Sequence, residues 1–121
     1  MTAMLREGNG WRLGWDDERD TFKALVGGKY WALELTQDEF EALYRLAQRL
    51  SETMTAMASE LMPDEHITCE QETPQLWMEA EGFPHSYSLR FILLNGRGGE
   101  GTWPPAIVPE VIDGLAHIKV F

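Results

Sequence analysis

The sequence predicts one α+β domain over residues 1–121, built from two related antiparallel sheet-plus-helix units at about 5–62 and 67–121. Three observations carry that prediction. Short segments with apolar residues at every second position occur before residue 36 and again after residue 66, the period of a half-buried strand. Each set is followed by apolar residues three and four apart, the period of an amphipathic helix. A single shift of 72 residues then overlays the halves, pairing Trp31 with Trp103, Trp11 with Phe83, Trp15 with Tyr87, Gly27 with Gly99 and Leu43 with Leu115. Such self-similarity points to duplication, in which two units bury one core that neither half could bury alone.

Taken in order, residues 11–15, 21–26 and 29–35 read as three strands, separated by the acidic Asp16-Asp17-Glu18 turn and by Gly27-Gly28. In the third, Trp31, Leu33 and Leu35 share one face, and Tyr30, Ala32 and Glu34 the other. Thr36-Gln37-Asp38-Glu39 is a capping box: the Thr oxygen accepts from the Glu39 amide and the Glu39 carboxylate reaches back. One helix is expected from there to Met62, stopped by Pro63. Its length is about 39 Å at ~1.5 Å per residue, with a narrow apolar seam of Phe40, Leu43, Ala47, Leu50, Met54, Met57 and Leu61 suited to packing on one surface, in the core or between subunits. Residues 67–73, 75–81 and 86–95 read as three further strands, then a glycine-rich hairpin, an extended Trp103-Pro104-Pro105 and a closing helix with Pro109 in its first turn.

Composition narrows the function. Apolar residues make up 44% of the 121 and charged residues 25%, which is the make-up of a globular domain. The formal charge is −10, from 20 acids against 10 Lys and Arg. That disfavours a nucleic-acid backbone, which demands clustered cations, and an anionic membrane surface. No apolar run is long enough to span a bilayer, and Met1-Thr2-Ala3-Met4-Leu5-Arg6 lacks a signal-peptide core. The lone Cys69 excludes an internal disulfide and fits a reducing cytoplasm. Between Arg49 and Arg90 there is no Lys or Arg, while Glu52, Glu60, Asp64, Glu65, Glu70, Glu72, Glu79 and Glu81 fall there. This is either a solvated acidic face or a docking patch for a basic partner.

The motifs point away from catalysis. Asn95-Gly96-Arg97-Gly98-Gly99-Glu100-Gly101-Thr102 has glycine amides suited to a phosphate, but a P-loop requires Lys before Ser or Thr and a helix directly after. A hairpin with Arg97 exposed near its tip accounts for the loop. His66-x-x-Cys69 lacks a second ligand pair for zinc, and Asp16-Asp17-Glu18-Arg19-Asp20 lacks the spacing of a calcium loop. No nucleophile motif is present, so no catalytic residue, metal or cofactor is expected. Five tryptophans are many for this length. Rings beside cations, as in Trp11-Arg12 and Lys29-Tyr30-Trp31, serve single-strand binders as stacking platforms; the alternative is that they form the core.

Gly10-Trp11-Arg12-Leu13-Gly14-Trp15, Leu25-Val26-Gly27-Gly28, Trp31-Ala32-Leu33-Glu34-Leu35-Thr36 and Tyr87-Ser88-Leu89-Arg90-Phe91-Ile92-Leu93 resemble a cyanobacterial domain-of-unknown-function family. The resemblance covers nearly the whole chain. It implies the single-stranded-DNA-binding transcriptional regulator fold of the plant Whirly proteins, which is itself made of repeated sheet-plus-helix units. The Whirly DNA-contacting run Lys-Gly-Lys-Ala-Ala-Leu has no clear counterpart, the nearest fragment being the short Lys23-Ala24-Leu25, so the resemblance carries a fold and no ligand.

Together these point to a cytoplasmic, non-enzymatic protein-interaction or regulatory module with an unspecified protein partner, no membrane role, and a homodimer through the long helix. Single-stranded nucleic-acid binding is the alternative. The candidate surface is Trp11, Arg12, Lys23, Lys29, Tyr30, Arg90 and Arg97.

Overall fold

A computed structural model describes residues 3–62 and 64–118. Pro63, the expected helix stop, lies outside the described residues, as do Met1 and Thr2 of the N-terminal segment. The chain runs β1 (Ala3–Gly8), β2 (Trp11–Asp16), β3 (Ala24–Gly27), β4 (Ala32–Leu35) and α1 (Gln37–Met57). It continues through β5 (Ile67–Glu72), β6 (Leu76–Phe83), β7 (Ser86–Leu93), β8 (Glu100–Trp103) and α2 (Val108–Ile118). The strands form two antiparallel four-stranded sheets in sequential order, β1-β2-β3-β4 and β5-β6-β7-β8.

Strand β1 is the element that the sequence pattern does not announce. It is an edge strand, and all six of its residues are exposed, so no alternation was selected into it. The expected 21–26 strand contracts to β3 because Phe22 and Lys23 belong to the preceding turn, closed by Asp16 N–H donating to Lys23 O at 2.8 Å. Likewise the 29–35 strand begins only at Ala32, since Gly28 N–H donates to Trp31 O at 2.9 Å and places Lys29 and Tyr30 in a turn.

The capping box forms as expected: Glu39 N–H donates to Thr36 Oγ1 at 3.2 Å and Thr36 N–H to Glu39 Oε1 at 2.8 Å. The helix ends five residues early, after 21 residues and about 31 Å. No base lies in its last turn, Thr53 and Ser59 hydroxyls bond back to Arg49 O and Ala56 O, and Glu60 places negative charge near the negative end of the dipole. Its buried stripe is also broader than a seam, taking in Ala42 and Leu46 beside Phe40, Leu43, Ala47, Leu50 and Met54.

The helices are exchanged between the sheets. Helix α1 rests on β5, β6 and β7 of the second sheet, and α2 on β1 and β2 of the first. The expectation that each sheet would be covered by its own helix is therefore corrected. The result is one core, in which Leu13, Val26, Leu35, Phe40, Leu50, Met78, Phe91, Trp103 and Leu115 are all buried. The apolar stripe of α1 is buried in this core from Phe40 to Met54, while Met57 is half-buried. The 72-residue shift matches helix to helix but not strand to strand: Trp11 opens β2, whereas Phe83 closes β6.

Two tryptophans join the sheets. Trp103 Nε1–H donates to Gly27 O at 2.9 Å and Trp31 Nε1–H to Thr102 O at 3.1 Å. The rings of Trp31, Trp103 and Phe91 lie 5.3–5.6 Å apart, centroid to centroid. Gly101 makes this approach feasible, because a Cβ at that position would overlap the six-membered ring of Trp31.

Candidate functional site

With the helices on the inner faces, each sheet turns its outer face to solvent. On the first sheet the outer residues are Ala3, Leu5 and Glu7 of β1, Arg12, Gly14 and Asp16 of β2, Leu25 of β3, and Ala32 and Glu34 of β4, by strand alternation from the buried Trp11, Leu13 and Trp15. Its middle is small and apolar: Leu5, Gly14 and Leu25 stand opposite one another across three strands, beside a shallow groove of about 300 Å³.

The outer face of the second sheet is different in kind. Glu70 and Glu72 of β5, Glu79 and Glu81 of β6, and Glu100 of β8 all project from it. Trp77 and Ile92 are cross-strand partners at its centre, and both are half-buried. Glu70 stands directly opposite Glu79. Like charges in register on adjacent strands are destabilising; Glu79 has this carboxylate on one side and Arg90 directly opposite on the other. The cation on this face, Arg90, lies 3.8 Å from Glu100 with its guanidinium 5.5 Å from the Trp77 ring centroid.

The candidate surface residues do not converge. Trp11 is only 9% exposed and its Nε1–H donates to Glu110 Oε1 of α2 at 3.3 Å, so it is a core residue rather than a stacking platform. Arg12 pairs with Glu7 at 3.5 Å on the first sheet. Lys23 is held within its own loop, its Nζ donating to Asp17 O at 2.7 Å and Arg19 O at 2.8 Å. Lys29 stands over Tyr30 at 5.2 Å, and Tyr30 is 87% exposed; these two are accessible together at the β3–β4 turn. Arg90 belongs to the other sheet, among acids.

Arg97 lies in the exposed turn between β7 and β8, but its guanidinium turns back onto the fold. It ion-pairs through Nη1 with the fully buried Glu39 carboxylate, donates through Nη2 to Glu34 O at 2.6 Å, and lies 4.6 Å from the Phe22 ring centroid. Asn95 Nδ2–H donates to the other Glu39 oxygen at 2.6 Å. A capping-box Glu spends one oxygen on the cap, and nothing in the sequence marks Asn95 or Arg97 as further partners of its carboxylate. His66 sits 3.6 Å from Glu81, and Cys69 packs against the core from β5, so the His66-x-x-Cys69 spacing does not aim both side chains at one point.

No helix among the described residues is long and apolar enough to cross a membrane. A comparison with functionally curated proteins gave no match. Among solved structures, the chain is similar to a crystal structure of a protein with unknown function from Prochlorococcus sp. NATL2A, described as of the DUF155 family. The two are 32% identical with a TM-score of 0.90, and the match covers 95% of this chain and 98% of that one. The family model for the domain of unknown function DUF1818 matches residues 6–118. With nearly every described element inside that match, the chain belongs to the DUF1818 family.

Proposed function

We propose that the protein is a non-enzymatic interaction module whose outer second sheet docks a cationic segment of a protein partner. One observation carries this reading: Glu70 and Glu79 face each other in register at the surface, beside the half-buried Trp77 and Ile92. A solvated face has no use for a like-charge pair that weakens its own sheet. A Lys- or Arg-bearing partner placed between the two carboxylates removes that repulsion. The neighbouring indole and aliphatic surface would bury against the partner's side-chain stems. The dispersal of Arg12, Lys23, Lys29, Arg90 and Arg97 over separate elements weighs against a nucleic acid on this chain. As part of the same proposal, the order of four strands and a helix, found twice, reflects a duplication of the kind seen in the Whirly fold, and the protein works in a cyanobacterial cytoplasm.

The test is fluorescence anisotropy with a labelled Lys/Arg-rich peptide, a neutral scrambled peptide and a single-stranded oligonucleotide at low and physiological salt. Saturable binding of the basic peptide alone, weakened several-fold by salt, supports the reading. Binding of the oligonucleotide, or no binding of the basic peptide at low salt, overturns it.

A further inference from the structure

Strand β5 is an open edge of the second sheet. Its neighbour β6 occupies one side, and Thr68, Glu70, Gln71 and Glu72 are exposed. Thr73 and Leu76, next in register after Glu72 and Trp77, exchange backbone hydrogen bonds at 2.9 and 3.4 Å. Bonded and non-bonded pairs alternate along an antiparallel ladder. Ile67, Cys69 and Gln71 therefore bond to β6, and the N–H and C=O groups of Thr68, Glu70 and Glu72 point away from the sheet. Natural edges are closed by proline or by bulges; β5 has no proline and pairs with β6 without interruption.

We propose that a basic segment of a protein partner adds to β5 as a further antiparallel strand, with Lys or Arg at alternate positions. This rests on the cationic docking proposed above and adds how the segment binds. Charge selects the occupant. The residues with free backbone groups, Thr68, Glu70 and Glu72, are also those whose side chains lie on the outer face. A partner residue that bonds to Glu70 or Glu72 through its own N–H and C=O puts its side chain on that same face. Neither carboxylate has an ion-pair partner among the described residues. Across the sheet the row runs Glu70, Glu79, Arg90, so a cation opposite Glu70 gives the two acids an opposite charge at each end. A second copy of this chain is a poor occupant of the edge, because its own Glu70, Glu72 and Glu79 would join the same face. Main-chain bonds then supply affinity, and the alternate cations supply specificity.

Fluorescence anisotropy on the full chain at low salt tests this with labelled peptides of equal charge. They are Val-Lys-Val-Lys-Val-Lys-Val, the same peptide N-methylated on its lysine amides, and the same peptide N-methylated on its internal valine amides. With lysines on the outer face, the lysine amides point at β5 and the valine amides point away. The lysine-methylated peptide should therefore bind at least about tenfold more weakly than the valine-methylated one, having lost its bonds to the edge. Equal affinities for the two methylated peptides, or weaker binding of the valine-methylated one, overturn strand addition while leaving cationic docking in place. No binding of the unmethylated peptide overturns both.

Discussion

Arg97 joins three segments far apart in the chain: the β7–β8 loop that bears it, the N-terminus of α1 through Glu39, and β4 through the carbonyl of Glu34. Its replacement leaves a buried carboxylate short of its charge partner. Arg97→Ala should therefore cost about 3 kcal/mol in urea unfolding, the low end for a broken buried pair, since the side chain keeps 29% exposure. A surface arginine at a hairpin tip would show no measurable loss. Gly101 makes a second prediction at this scale. In Gly101→Ala the added methyl meets the Trp31 ring, and the overpacking should cost about 1–3 kcal/mol, read as a lower urea midpoint with altered near-ultraviolet circular dichroism. Neither contact was legible in the sequence. Local chemistry reveals that Thr36 and Glu39 cap a helix, but the partner of the second Glu39 oxygen, Asn95, lies 56 residues on, a distance that no local pattern spans.

At the scale of elements, what could be read was what periodicity and capping control. Alternation in Trp31-Ala32-Leu33-Glu34-Leu35 placed Trp31 inward and Tyr30 outward, as the structure has them. The capping box fixed the start of α1, and Thr36→Ala should destabilise the protein by about 1 kcal/mol on thermal or urea unfolding. The end of α1 was not legible, because the residues after Met57 have no glycine and no proline before Pro63. The helix stops where hydroxyls compete for its carbonyls and an acid meets its dipole. Strand β1 stayed hidden for the opposite reason: all six residues of this edge strand stay exposed although α2 rests beside it, so no buried side patterns its sequence. Its register is written instead in its pairing with β2, through the tight Asn9-Gly10 turn, where Gly10 takes φ 88°.

For the whole molecule, the exchange of helices between sheets makes the two halves interdependent. A fragment of residues 1–62 lacks α2, the cover for β1 and β2, and exposes the α1 stripe that belongs on β5 and β6. Each half alone should show the circular dichroism of an unfolded chain, and the intact protein should unfold in one transition by fluorescence and circular dichroism alike. Two independent transitions would contradict the single core. The net charge of −10 also acquires a place at this scale: part of it is the row of carboxylates on the outer second sheet. Composition alone could give the sign of that field but not its registration, since the opposition of Glu70 to Glu79 depends on how β5 and β6 align. The most direct measurement is therefore a paired one on Glu70→Gln, with unfolding free energy and affinity for a Lys/Arg-rich peptide determined on the same protein. The account predicts a gain of a few tenths of a kcal/mol in stability as the like-charge pair is relieved, together with a several-fold loss of affinity. Unchanged affinity in the stabilised variant would contradict a docking role for this face.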